Sequence, residues 1–81
     1  MKILKFYLPS CTPCKFVDQF LQDKGIEYQS INIEENDDLR EKYGIMSVPV
    51  LVLADEEGNE ISRSTGYNPP QIEALIAQLD K

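Results

Sequence analysis

Lys5-Phe6-Tyr7-Leu8-Pro9-Ser10-Cys11-Thr12-Pro13-Cys14-Lys15 is the stretch on which the reading of this chain turns. The apolar residues from Met1 to Leu8 have the composition of a strand, and Pro9, Ser10, Thr12 and Pro13 break it. From Cys14 the spacing becomes helical, with Phe16, Val17, Phe20 and Leu21 at i, i+1, i+4 and i+5. The chain's two cysteines therefore stand three positions apart, where a strand hands over to a helix.

A Cys-x-x-Cys spacing alone is only moderately specific, since half zinc sites and chance pairs share it. Inside a β-α-β pattern of a cytosolic chain it is a redox signature. The physical reason lies in the helix start. Unpaired backbone N–H groups and the positive dipole end favour thiolate over thiol at Cys11. Cys14, one turn on, is within reach for a disulfide. Cys11 would attack a substrate disulfide as thiolate, and Cys14 would then attack Cys11 and release the reduced substrate. Pro13 has no N–H to satisfy and stiffens the first turn. A fixed disulfide staple is the competing reading. So short a loop constrains the unfolded chain little, and stable disulfides are rare in the cytosol. Two inert buried thiols fit poorly with the exposed turn that Pro9, Ser10, Thr12 and Pro13 suggest.

Working outward, Gly25 ends the first helix as a C′ residue. Glu27 to Ile33 is expected as a second strand, with Gln29, Ile31 and Ile33 on one face and Tyr28 and Ser30 on the other. Asn36 suits the N-cap of a short helix with Asp37 and Asp38 in its first turn, and Gly44 stops it after Leu39 and Tyr43. Val48 to Ala54 has the β-branched, apolar content of a central strand. Glu57-Gly58-Asn59 is a turn signal, and Glu60 to Ser64 a polar strand near the sheet edge. Asn68, Pro69 and Gln71 open a last helix whose Ile72, Leu75, Ile76 and Leu79 fall at 0, +3, +4 and +7. The order β-α-β-α-β-β-α, without repeat or linker, predicts a single α/β domain over residues 1–81.

Composition sets the bounds. The 81 residues allow one modest core, and 42% hydrophobic content is that of an ordinary globular chain. The longest apolar run, Val50 to Ala54, cannot span a membrane. Lys2 and Lys5 precede no apolar stretch leading to a cleavage site, so the cytoplasm is the expected location. A net charge of −6 argues against nucleic acid and anionic membrane surfaces as partners. Acids gather at Glu34, Glu35, Asp37 and Asp38 and again at Asp55, Glu56 and Glu57, whereas the first 15 residues hold three lysines and no acid. Either this is an ordinary solvated acidic face, or a neutral-to-basic active end sits on an acidic body. The chain has no histidine, which removes Ser–His–Asp and Cys–His sites. Two thiolates cannot close a four-ligand zinc site within one chain, so no metal is expected; one would need a dimer or added carboxylates.

Three segments, spanning nearly the whole chain, resemble the thioredoxin–glutaredoxin superfamily: Lys5 to Lys15, Tyr43-Gly44-Ile45-Met46-Ser47-Val48-Pro49, and Ser64-Thr65-Gly66-Tyr67. The resemblance implies a thioredoxin-like fold, a four-stranded mixed sheet flanked by three helices. It implies Cys11 as nucleophile, Cys14 as resolving thiol, and a cis Val48–Pro49 bond facing both. Val48's backbone would then pair with an extended substrate segment. Met46, Ser47, Val48, Gly66 and Tyr67 would line a substrate groove, with Tyr7, Thr12 and Pro13 beside it. For Met46 and Tyr67, ordinary surface is the other reading. In size the chain is similar to glutaredoxins and the small donors of ribonucleotide reductase. It lacks tryptophan, and Tyr7 and Ser10 stand where thioredoxins usually carry one. Lys5 stands where thioredoxins usually have a buried acid. It either lies under the motif and favours the Cys14 thiolate, or snorkels to solvent.

Glutaredoxins usually carry paired glycines and an aspartate before the last helix. This chain reads Thr65-Gly66-Tyr67-Asn68-Pro69-Pro70, and its motif holds Thr-Pro. The resemblance therefore implies a thioredoxin-type, monomeric reductase of protein disulfides, with ribonucleotide reductase among its clients. It would bind no cofactor and take electrons from NADPH through a thioredoxin-reductase-like flavoprotein. A glutathione-dependent glutaredoxin and a non-catalytic binding module of the same fold are the alternatives.

Overall fold

Val50-Leu51-Val52-Leu53-Ala54 is buried at every position, which a strand achieves only with neighbours on both sides and helices on both faces. The computed structural model, which describes residues 1–80, places it so. The elements are β1 (Lys2–Tyr7), α1 (Thr12–Asp23), β2 (Gln29–Asn32), α2 (Asp37–Tyr43), β3 (Val50–Ala54), β4 (Glu60–Thr65) and α3 (Pro69–Ala77). This is the expected β-α-β-α-β-β-α order. The four strands form one mixed sheet, β2-β1-β3-β4, in which only the β1–β2 pair is parallel.

Alternation along β1 and β3 sends side chains into two cores. Leu4, Phe6, Val50 and Val52 meet Tyr43 and Ile45 on the α2 side. Ile3, Leu51 and Leu53 meet Val17 and Leu21 of α1 and Ile72 and Leu75 of α3 on the other. Each fully buried aliphatic chain contributes about 1.5–3 kcal/mol relative to exposure, so the two layers hold the sheet rigid beneath its loops.

Several expectations are adjusted. β2 pairs only over Gln29–Asn32, against Leu4–Tyr7, so it is shorter than Glu27 to Ile33. It is an edge strand; Gln29 shares a face with Ile31, as expected, but is exposed at the strand's start whereas Ile31 and Ile33 are buried. β3 starts at Val50, because Pro49 has no N–H to give the ladder. Asn36 sits at the N-cap of α2 without capping it. Its Nδ2 instead donates to the Asn32 carbonyl at 2.9 Å, which holds the side chain back toward the preceding turn. Gly44 ends α2 in the left-handed region, at φ 62°. Asn68 does cap α3, its Oδ1 accepting the Gln71 N–H at 3.4 Å.

The largest adjustment concerns α1. It begins at Thr12 with Cys11 as N-cap. Its buried stripe is Cys14, Val17 and Leu21, so Phe16 turns outward and is 53% exposed.

Candidate active site

Register fixes where the loops meet. Tyr7 pairs with Asn32, Phe6 with Val50, and Val50 with Thr65. The turn after Tyr7, the Val48–Pro49 segment before Val50 and Gly66 after Thr65 therefore leave the sheet at one end. Val48–Pro49 is a cis bond, and the Pro49 carbonyl accepts the Gly66 N–H at 2.8 Å, tying two of these loops together.

Cys11 and Cys14 form a disulfide with Cα atoms 5.3 Å apart. Cys11 is the N-cap of α1, and its Sγ accepts the Cys14 N–H at 3.1 Å. Pro13 falls among the first residues of the helix, where a missing N–H costs nothing, and the first turn holds no acid to oppose a thiolate. Exposure separates the two sulfurs' residues: Cys11 is half-buried and Cys14 is 2% exposed. Thr12 and Pro13 are exposed beside them. Only Cys11 is open to an incoming group.

Beneath the disulfide lies a cleft of about 270 Å³ lined by Lys5, Tyr7, Cys11, Cys14, Asp18 and Ser30, among others. Lys5 points into it and does not snorkel; its side chain is 3% exposed. Its Nζ pairs with Asp18 Oδ1 and lies 4.8 Å from the Tyr7 ring centre and 5.9 Å from that of Tyr28. The Tyr28 hydroxyl donates to the same Asp18 oxygen at 2.7 Å. Burial above all, with the Asp18 hydrogen bond and charge added, holds the Tyr28 hydroxyl above the ordinary tyrosine value, against an opposing hydrogen bond from Gln22.

Sequence reasoning missed Asp18 and Tyr28. The signal for Asp18 was present: Cys14, Val17, Asp18 and Leu21 fall at 0, +3, +4 and +7, so one carboxylate stands in the apolar stripe. Phe16 packs on Tyr67, ring centres 5.7 Å apart, with Phe20 6.3 Å from the same ring. Met46 is 91% exposed, Ser47 is exposed, Val48 and Gly66 are partly covered, and Tyr67 is 44% exposed. These residues lie on the loops that leave the cysteine end of the sheet. Among the described residues no group of three or more Cys, Asp or Glu gathers to hold a metal, and no helix is long and apolar enough to cross a membrane.

A β-α-β-α-β-β-α sheet with a Cys-x-x-Cys disulfide at the start of its first helix defines a thioredoxin-like protein. Comparison with known proteins agrees. The glutaredoxin family model matches residues 1–58, and the chain belongs to that family within the thioredoxin–glutaredoxin superfamily. It is 30% identical over 79 residues to the SPbeta prophage-derived thioredoxin-like protein YosR of Bacillus subtilis, covering 98% of this chain and 99% of that one. It is 33% identical over 73 residues to the thioredoxin of B. subtilis, covering 82% of this chain and 68% of the relative. In fold it is similar to the thioredoxin of Malassezia sympodialis, with a TM-score of 0.80 at 20% identity over 94% of this chain and 71% of that one.

Proposed function

We propose that the protein is a dithiol–disulfide oxidoreductase that reduces protein disulfides, with Cys11 as nucleophile and Cys14 as resolving thiol. The observation that carries this is the asymmetry at the start of α1. Cys11 is accessible and already accepts an N–H at its sulfur, whereas Cys14 is buried behind it. In the reduced protein the same N–H and the helix end favour the Cys11 thiolate. An extended substrate segment would lie along Val48–Pro49, between Met46 and Ser47 on one side and Gly66 and Tyr67 on the other.

Electrons would come from NADPH through a thioredoxin-reductase-like flavoprotein, with the protein working as a cytoplasmic monomer. The thioredoxin relatives and the single-glycine loop at Gly66 support this branch. No feature of the site selects ribonucleotide reductase over other disulfide-bearing enzymes. The match to the glutaredoxin model favours the second reading, coupling to glutathione.

Reduction of insulin disulfides with two regenerating systems separates them: NADPH with thioredoxin reductase, and NADPH with glutathione and glutathione reductase. Turnover with the first alone is expected. Turnover with the second alone would overturn the branch assignment. Equal activity of wild type and Cys11→Ser would overturn the oxidoreductase reading in favour of a binding module.

A further inference from the structure

We propose that Lys5 and Asp18 are opposed positioning charges that together set the ionisation of Cys14, with Tyr28 holding the Asp18 carboxylate in place. The proposal rests on Cys14 being the resolving thiol and concerns how that thiol is prepared.

Cys14 must lose a proton while buried, and the chain has no imidazole to take it. Its own N–H is committed to Cys11 Sγ, so the helix end serves the other sulfur. The titratable side chains around the cleft are Lys5 and Tyr7 from β1, Lys15 and Asp18 from α1, and Tyr28 just before β2, bonded to Asp18. Lys15 is exposed, so water screens it. Lys5 is not screened. It is fixed by Asp18 and two tyrosine rings in the cleft that Cys14 lines. Asp18 follows Cys14 by four residues on the same helix face and faces the same cleft.

The consequence is a sign rule. The pair is neutral as a whole, so removing either member leaves one uncompensated charge in the cleft that Cys14 lines. Without Lys5, a carboxylate disfavours the thiolate. Without the Asp18 charge, an ammonium favours it. The Lys5 side chain is 3% exposed and that of Asp18 34%, so the lysine's effect is the larger.

In the step this prepares, Cys14 gives its proton to water in the cleft and its sulfur attacks Cys11 Sγ. The Cys11–substrate sulfur bond breaks, and its electron pair leaves with the substrate thiolate, which takes up a proton. The two cysteines become a disulfide, losing two electrons, and the substrate disulfide has gained them.

The test places Lys5→Met, Asp18→Asn and the double variant in a Cys11→Ser background, where Cys14 is the one thiol. The carbon-13 shift of Cys14 Cβ is followed against pH. Lys5→Met is expected to raise the midpoint by about 1–2 pH units, and Asp18→Asn to lower it by about half as much. The double variant should fall between the two. Tyr28→Phe, which frees the carboxylate's charge, should raise the midpoint by less than Lys5→Met does. An unmoved midpoint in Lys5→Met overturns the proposal, as does a double variant that coincides with Lys5→Met. That second comparison decides even if Asp18→Asn alone does not fold. Wild type inactive on insulin would refute the proposed function and leave the titration standing. Active wild type with unmoved midpoints would refute this inference alone.

Discussion

Removing Lys5 and removing Asp18 should have very different effects on stability, although they form one ion pair. Lys5 is the buried member, 3% exposed at its side chain, and Asp18 keeps 34% of its side chain in water. Truncating one partner of a buried pair typically costs about 3–5 kcal/mol, because the other charge is left buried and alone. For Asp18→Ala the stranded group is the Lys5 ammonium. Since Asp18 was itself partly solvated, we expect about 2–4 kcal/mol of destabilisation. Lys5→Met strands nothing comparable. Asp18 keeps its contact with water and its hydrogen bond from Tyr28 at 2.7 Å. Methionine fills the lysine's apolar volume and escapes its desolvation. Against that stands the loss of ring contacts at 4.8 and 5.9 Å, about 0.5–1 kcal/mol each. The balance is within about 1 kcal/mol of wild type.

The assay is urea unfolding of the oxidised proteins, with the Cys11–Cys14 bond intact in all three. The slope should stay constant while the midpoint moves. In a domain of this size about 1 kcal/mol corresponds to roughly 4–8 °C, so Asp18→Ala should melt at least about 8 °C lower, and Lys5→Met near wild type. A Lys5→Met protein as unstable as Asp18→Ala would refute the reasoning. It would mean that the lysine stabilises the fold by itself.

Three further outcomes follow from single contacts. Cys14→Ser should retain attack by Cys11 and accumulate a mixed disulfide with substrate, visible on non-reducing gels, whereas Cys11→Ser should accumulate none. Gly44→Ala should cost about 1–2 kcal/mol in urea unfolding. The strain is the backbone's alone, since φ is 62° and nothing lies within 4 Å of an added Cβ. The Arg63 hydrogen bond above all, with its charge adding a smaller share, holds Glu60 below the ordinary carboxylate range against the opposing effect of burial. The sign follows: this stabilisation is present above the unfolded carboxylate value and is lost as pH falls through the lower folded value. Glu60→Gln should therefore cost under about 1 kcal/mol at neutral pH, with the difference from wild type vanishing on acidification.

The sequence made the backbone plan legible wherever a residue's local chemistry matched its tertiary use. Pro9 and Pro13 around the cysteines, Gly25 and Gly44 after helices, and Asn68 before Pro69 all act within a turn of themselves. Legibility failed where two local signals competed. Phe16, Val17, Phe20 and Leu21 all fit one helical spacing in the sequence, but of these only Val17 and Leu21 are fully buried in α1, with Cys14 completing the stripe. The fold resolves this by stacking Phe16 on Tyr67 outside the core. Asn36 had the right residue type for a cap, but its Nδ2 is tied to the Asn32 carbonyl and its oxygen takes no helix N–H. Asp18 was overlooked for a different reason. Its partner Lys5 is 13 residues away on a strand, so the pair exists only once the crossover has brought α1 over β1.

That distance bears on what the pair is for. The start of α1 can serve only one sulfur, because the favourable dipole and free N–H groups fade within the first turn and the Cys14 N–H already points at Cys11. A motif built from local sequence alone would thus prepare the attacking thiol and neglect the resolving one. Lys5 and Asp18 supply the second sulfur from outside the motif, by way of the sheet. Stability does not account for them, since an apolar side chain at Lys5 is expected to serve the fold as well. The two thiols are therefore tuned by separate groups. Changes at Lys5 should alter how fast a mixed disulfide resolves more than they alter the rate at which Cys11 first attacks, because Cys11 also lines the cleft but has the helix start as its own support.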